Sequence, residues 1–179
     1  MSRASVDAVT ATVDSLLAGA LDIAQMPEAI ERLRRLFDGS KACLARLGPG
    51  LSAADAIATN SDEAMQRRCY EDLAEDFIRF AEGLRSVPIG GVYRDNALFG
   101  EATLRASRAW QEWMAPQDMY GGLGSKLLAS GPSFWFLDVQ RGRNQPAFDA
   151  AEAEVLQLIA RHIARAAQLG RRLQLAQAL

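Results

Sequence analysis

The sequence has three Cys and His side chains, the types that most often bind zinc: Cys43, Cys69 and His162. A zinc site needs three or four such ligands brought together, and these three are widely separated. We therefore expect no metal site and no cofactor. The cysteines could form a disulfide, but two small buried apolar side chains are favoured in a reducing compartment. No nucleophile or carboxylate motif surrounds His162, so a packed or interface imidazole is expected.

The motifs of common enzymes are missing from the sequence. It contains no G-x-S-x-G elbow, no G-x-x-x-x-G-K-S/T phosphate loop, no H-E-x-x-H and no D-x-D-x-D-G calcium loop. Gly121, Gly122 and Gly124 lack the spacing of a dinucleotide site, and we expect them to let a neighbouring backbone or bulky side chain approach a sheet closely. We expect no enzymatic activity. The enzyme alternative predicts a polar cavity with a perturbed carboxyl near Asp118 or Asp138.

Aromatic residues of the sequence could line a small-molecule pocket. Such side chains bury a large apolar area, while Trp N–H and Tyr O–H groups orient a ligand. Most of them also fall on predicted core faces, so each residue taken singly is better explained as core than as a ligand contact. The candidate ligand-binding residues are Tyr70, Phe77, Phe80, Trp110, Trp113, Met114, Tyr120, Phe134 and Phe136.

Length and composition limit the classes of protein to consider. The chain has 179 residues, 49% of them hydrophobic and 23% charged, which is typical of one globular domain. A formal net charge of -2 leaves no domain-wide basic face for nucleic acid. No apolar stretch reaches the ~18 residues of a membrane-spanning helix, and the N-terminus is too polar for a signal peptide. We expect a cytoplasmic protein that does not bind a membrane.

Apolar residues at spacings of three and four predict the helices. They indicate a helix from Val6 to Leu21 and a second one that begins around Pro27. The longest internal helix is predicted from Asp62 to Leu84, and another from about Glu101 to Met114.

Alternating residues predict the strands. Lys41 to Leu47 is a strand, Ala53 to Thr59 is a weaker second one, and Tyr120 to Leu128 pairs with Ser133 to Gln140 as a hairpin. Interspersed helices and strands with a late hairpin indicate an α+β domain whose mainly antiparallel sheet has helices on both faces.

The last predicted strand should present two buried faces. Alternation sends Phe134 and Phe136 to one face, and Trp135, Leu137 and Val139 to the other. The terminal helices would cover one face and the two internal helices the other. A pocket would lie under the internal helices.

A long C-terminal helix is predicted to serve as the output element. Asp149 caps it, and Glu152 completes a capping box. Its apolar residues recur with a mean period of 3.5, the period of a coiled-coil seam. We expect it to form a homodimer together with the Val6 to Leu21 helix; the alternative is a helix lying on the sheet with its arginines in solvent. The candidate interface residues are Val9, Val13, Leu16, Val155, Ile159, His162, Ala166, Leu169 and Leu173.

Several stretches together carry a family pattern. They are Pro27 to Leu33, Ser107-Arg108 ahead of Trp110 and Trp113, Pro116 followed by Tyr120-Gly121-Gly122-Leu123-Gly124, Phe148 to Glu152, and Leu156 to Ala166. This pattern resembles the N-terminal sensory region of LuxR-type bacterial transcriptional regulators. The resemblance implies a GAF/PAS-like sensor domain and supplies no catalytic residues. In the family a helix-turn-helix DNA-binding domain follows, and we expect that module to be absent from this chain.

The predicted function follows from the resemblance and the aromatic group. Residues 1–150 would form the sensor domain and residues 151–179 the dimerisation and signalling helix. An unknown small molecule would shift the packing of the terminal helix, and DNA would be bound only through the missing module. The alternative is a dimerisation or protein-interaction module without a ligand.

Overall fold

The structure is a computed structural model that describes residues 5–60 and 62–177. Within these residues seven α-helices surround five strands. The helices are α1 (Val6–Leu21), α2 (Met26–Leu36), α3 (Glu63–Glu71), α4 (Ala74–Leu84), α5 (Asp95–Phe99), α6 (Glu101–Ala106) and α7 (Ala150–Gln177). The strands are β1 (Lys41–Leu47), β2 (Ala56–Ala58), β3 (Val92–Arg94), β4 (Gly121–Ser130) and β5 (Ser133–Arg141).

The strands form one antiparallel sheet in the order β2-β1-β5-β4-β3. The predicted strand from Lys41 to Leu47 and the predicted hairpin are confirmed, with Gly131 at positive φ in the turn. Strand β2 is shorter than predicted because Asp55 caps a short 3-10 turn through the backbone N–H of Ser52. The α+β class, with helices on both faces and a long C-terminal helix, is confirmed.

Two separate cores cover the two faces of β5, as its alternation predicts. Leu137 and Val139 are fully buried in a core that includes residues of α1, α2 and α7. Phe134 and Phe136 lie on the other face, against residues of α3 and α4. The sheet therefore separates the two cores.

The predicted helix from Asp62 to Leu84 is wrong as a single element. It breaks after Glu71, where the backbone of Leu73 leaves the helical region with φ −116° and ψ 13°. The Leu73 side chain is buried at this corner, and its carbonyl accepts the N–H of Asp76 in the new helix. Burial of the corner outweighs the continuous helical pattern, because two short helices can each place an apolar face on the sheet.

The predicted helix from Glu101 to Met114 is also interrupted. Ser107 is extended, and its hydroxyl donates to the Leu104 carbonyl and accepts the N–H of Trp110. The Asp76 carboxylate accepts the N–H of Ala109 at 2.8 Å. These side-chain hydrogen bonds replace helical ones, which is how Ser and Asp compete with helix interiors. The segment from Trp110 to Met114 continues as a π-helical turn.

The N-terminus of α7 is fixed as predicted. Asp149 and Glu152 form the reciprocal capping box, with bonds of 2.9 and 2.8 Å between each carboxylate and the other residue's N–H. Glu152 also pairs with the buried Arg141 at the end of β5. Arg141 donates to the Phe37 carbonyl and covers the Phe148 ring at 4.1 Å, so one guanidinium joins β5, α2 and α7.

The buried face of α7 differs from the predicted seam. Its buried residues are Leu156, Ile159, Ala160, Ile163 and Ala164. They follow the pattern i, i+3, i+4, i+7, i+8, which is the stripe of an ordinary helix lying on a sheet. Ile159 is the one residue that this buried stripe shares with the predicted seam. The alternative of a terminal helix packed on the sheet therefore describes α7 up to residue 164.

Candidate functional site

A cavity of about 140 Å³ lies between the sheet and the helices α3 to α6. Its floor consists of small and aromatic residues of β1, β2 and β5, and its roof consists of α3, α4 and the π-helical turn. The cavity lies under the internal helices, where the sequence predicts a pocket.

Six of the nine candidate ligand-binding residues line the cavity. They are Tyr70, Phe77, Phe80, Trp113, Met114 and Phe136. The other three lie outside its wall. Trp110 and Tyr120 pack edge to face on each other, with centroids 5.4 Å apart, and Phe134 packs beneath the Lys126 ammonium at 4.5 Å.

Interlocked aromatic rings form the apolar wall. Phe77 meets both Phe80 and Trp113 edge to face, at centroid distances of 5.6 and 5.4 Å. The indole N–H of Trp113 donates to the Met65 carbonyl at 2.8 Å. This N–H is therefore committed to α3 and does not orient a ligand, contrary to the role expected for Trp N–H groups. The three rings therefore pack against one another as one continuous apolar surface.

One end of the cavity is polar. Asp95, Asp138 and Gln140 meet there, and all three are at least nine-tenths buried. The Gln140 amide nitrogen donates to the Asp138 carboxyl at 2.7 Å and lies 3.4 Å from the Asp95 carboxyl. The other amide atom, Gln140 Oε1, is buried without a hydrogen-bond partner. A buried acceptor without a partner is costly, and a ligand that donates to it would remove that cost.

Burial shifts the titration of both carboxyls. It raises the pKa of Asp138 to about 8, with the nearby charge of Asp95 adding to the shift and the Gln140 hydrogen bond opposing it. Burial also raises the pKa of Asp95, although backbone N–H groups of Gly122 and Asn96 oppose that shift. Among the residues that the structure describes, no ion pair includes either carboxyl.

Two glycines make room for the polar end, as their clustering predicts. A methyl group on Gly122 would overlap the Gln140 amide and the Asp95 carboxylate, and one on Gly124 would overlap the Tyr93 ring. The expectation of a close approach is confirmed for Gly122 and Gly124 and is wrong for Gly121, where an added Cβ would meet nothing within 4 Å.

The polar residues of the site were not predicted as ligand contacts. Asp138 was named only as the mark of an enzyme, and Asp95 and Gln140 were not named. A signal for two of them was present, because Asp138 and Gln140 continue the alternation of Phe134 and Phe136 on one face of β5. Polar residues at such positions in a buried strand point to a site rather than to a core.

Both cysteines lie in the cavity wall as free thiols. Cys43 is paired with Asp138 across β1 and β5, and burial raises the pKa of its thiol well above the usual value. Burial raises the pKa of Cys69 to about 12. Both are therefore protonated at neutral pH and act as small apolar side chains.

Three of the nine candidate interface residues are buried inside the chain. Leu16 and Ile159 are fully buried in the core shared by α1 and α7, and Val9 is 9% exposed. A second copy cannot be bound through side chains that are already covered. Val13, Val155 and Ala166 are half-buried, and His162 and Leu169 are exposed. The side chain of Leu173 lies outside the described residues.

No helix of residues 5–60 or 62–177 is long and apolar enough to cross a membrane. The sequence matches no protein-family model and no curated protein.

Solved structures share the fold at low sequence identity. CepR2 from Burkholderia cenocepacia, an N-acylhomoserine lactone dependent LuxR family transcription factor, has a TM-score of 0.62 at 16% identity, over 96% of this chain and 98% of that chain. The VqsR LBD domain from Pseudomonas aeruginosa has a TM-score of 0.58 at 10% identity, over 88% and 91%. SdiA from Escherichia coli has a TM-score of 0.56 at 15% identity, over 89% of this chain and 66% of that chain. The chain therefore has the fold that these three proteins share.

Proposed function

We propose that residues 1–150 are the ligand-sensing domain of a LuxR-type transcriptional regulator, and that residues 151–179 form its dimerisation and signalling helix. The observation that supports this function best is the aromatic cavity with one polar end. Apolar walls with a few convergent polar groups are typical of small-molecule sites. The fold is shared with CepR2, which is N-acylhomoserine lactone dependent, and with SdiA, which has been solved in complex with octanoyl-rac-glycerol. We also propose that this sensing domain is GAF/PAS-like.

The placement of the cavity supports a mechanism of signalling. Phe136 and Asp138 face the cavity, while Leu137 and Val139 of the same strand lie in the core with α7. A ligand that moves β5 therefore changes the packing beneath α7. The ligand must bind one arrangement of α7 more tightly than another, since equal affinity for both would shift nothing. In this proposal the change at α7 controls an attached DNA-binding module.

Dimerisation is the second part of the proposal. Leu158 and Leu169 are 52% and 59% exposed on α7, with His162 and Ala166 between them. This exposed stripe fits a second copy of the chain. We expect Leu158→Glu with Leu169→Glu to convert a dimer to a monomer in sedimentation experiments at micromolar concentrations. Ile78→Glu, on an exposed residue of α4, is the control. A wild-type chain that sediments as a monomer would contradict the dimer, and a dimer without any ligand would favour the interaction-module alternative.

One observation bears on the enzyme alternative. That alternative predicts a perturbed carboxyl, and Asp138 is perturbed, whereas Asp118 lies in a turn where its carboxylate accepts the Arg143 N–H. We still propose a binding site, because the neighbouring Cys43 and Tyr93 have pKa values raised well above normal and are neutral near pH 7. Neither is an activated nucleophile.

The tryptophans give a test of the cavity. Propylbenzene, an apolar probe, is expected to raise the melting temperature of the wild-type chain by a few degrees, as a ligand that binds only the folded state does. Trp113→Ala should abolish this shift because Trp113 lines the cavity, whereas Trp110→Ala should retain it. Circular dichroism checks that both variants fold. A shift of equal size in both variants, or no shift in the wild type, would count against a ligand in this cavity.

A further inference from the structure

We propose that the polar end of the cavity binds a protonated amine, so that the ligand of this protein carries an ammonium group on an apolar body. The inference rests on the proposed function and names the chemical class of its ligand. Asp95, Asp138 and Gln140 are the residues that would hold the ammonium group.

Once Asp138 is ionised, hydrogen-bond acceptors outnumber side-chain donors at this end. Both carboxyls share the amide nitrogen of Gln140, Asp95 also accepts the backbone N–H of Asn96, and the Gln140 oxygen has no partner. A ligand that supplies N–H groups therefore fits the ionised site better than one that supplies carbonyl oxygens. An ammonium group supplies three donors from one compact atom.

The charge of the polar end also selects a cation. The groups that face Asp138 are Cys43 from β1, Tyr93 from β3, Asp95 from α5 and Gln140 of its own strand, and none of them is a cation. Two basic residues of β1 lie near the cavity but are committed elsewhere. Lys41 donates to the Asn60 carbonyl, and Arg46 pairs with Asp55.

Two buried carboxyls without a cation are a cost that a bound ammonium ion would remove. Without a bound cation Asp138 is largely protonated near pH 7, because its pKa is raised to about 8. An ammonium ion would stabilise the carboxylate, and binding would then release the Asp138 proton to solvent. A neutral alcohol or a hydrocarbon would release none.

The apolar part of the cavity is suited to the rest of such a molecule. Phe136 precedes Asp138 by two residues on the same face of β5, so an aromatic ring lies next to the carboxyl. Phe77 and Trp113 continue the aromatic wall away from the polar end. A ring or short chain attached to the amine would pack there, and aromatic faces also attract ammonium groups.

Three probes of equal size test the inference on the full chain with EDTA present. They are 2-phenylethylamine, 2-phenylethanol and propylbenzene, and their affinities are measured by calorimetry at pH 7. The wild-type chain should bind the amine about tenfold or more tightly than propylbenzene. Asp138→Asn keeps the shape and the Gln140 hydrogen bond but removes the charge. It should remove the preference for the amine and leave the affinity for propylbenzene within about twofold.

A control variant and a proton count separate binding from a merely structural role. Glu82→Gln removes an exposed carboxylate on α4 and should change nothing. Calorimetry in two buffers of different ionisation enthalpy should show proton release with the amine in the wild type and none in Asp138→Asn.

Three outcomes would overturn the inference. Equal affinities for all three probes in the wild type would contradict the amine while leaving the proposed function standing. Equal weakening of all three by Asp138→Asn would mean that Asp138 only supports the fold. Failure of every probe to bind would overturn both the inference and the proposed function.

Discussion

Asp138→Asn is expected to make the protein, measured without added ligand, more stable at pH 8 by several kcal/mol. The carboxyl has an unperturbed pKa of 3.8 and a folded-state pKa of about 8. Between these values the folded chain binds more protons than the unfolded chain, so the free energy of unfolding falls as the pH rises. The contribution is fully present below pH 3.8 and is lost as the pH rises through about 8, a total on the order of 5 kcal/mol.

Urea unfolding at pH 5, 6, 7 and 8 measures this effect. The wild-type chain should lose stability steadily across the series, and Asp138→Asn should show a shallower slope. A residual slope of the same sign is expected in the variant, because the pKa of Asp95 is also raised. Cys43 and Tyr93 stay neutral across this range and add no slope. Parallel curves for the wild type and the variant would contradict the burial of Asp138.

Ala45→Phe is expected to fill the cavity and abolish ligand binding in a folded protein. Ala45 lies in the floor on β1, 8% exposed, between Ala56 of β2 and Phe136 of β5. A phenyl ring there occupies the space that a ligand would use. We expect a loss of propylbenzene affinity on the order of a hundredfold or more, since the ligand loses most of its buried contacts.

Two further variants control the size of the added side chain. Ala45→Leu should weaken binding to an intermediate degree. This smaller side chain can still be tested if the phenyl ring overpacks the floor and lowers the free energy of unfolding by about 1–3 kcal/mol. Ala64→Phe adds the same ring on the exposed side of α3 and should leave affinity unchanged. Propylbenzene binding that survives in Ala45→Phe would place the ligand elsewhere.

The sheet and the terminal helices were predictable because their signals are local. A few adjacent residues are enough to predict each of three features: the strand from Lys41 to Leu47, the hairpin around Gly131 and the capping box of α7. The helix breaks at Leu73 and Ser107 were not predictable in this way. The break at Leu73 depends on a buried corner, and the break at Ser107 depends on a hydrogen bond that the distant Asp76 carboxylate accepts. The spacing of apolar residues along the sequence gives no sign of either interaction.

The site was predictable in its apolar part only. Helical and strand periodicity correctly predicted that Phe77, Trp113 and Phe136 line the cavity. Periodicity also predicted Trp110, which instead packs against Tyr120 because it lies in the π-helical turn. The face of α7 that packs on the sheet was not predicted, because a strict 3.5 period and a 3.6 period differ little over four turns. Packing on the sheet selected the stripe through Leu156 rather than the predicted seam.

Native mass spectrometry of the chain purified from its own producing cell tests the sensing function most directly. We expect a mass that exceeds the bare chain by one small molecule, which is lost on denaturation and absent from Ala45→Phe. By the amine inference, that molecule should carry a basic nitrogen. The mass of the bare chain alone, with no copurified compound in the wild type, would contradict a ligand sensor.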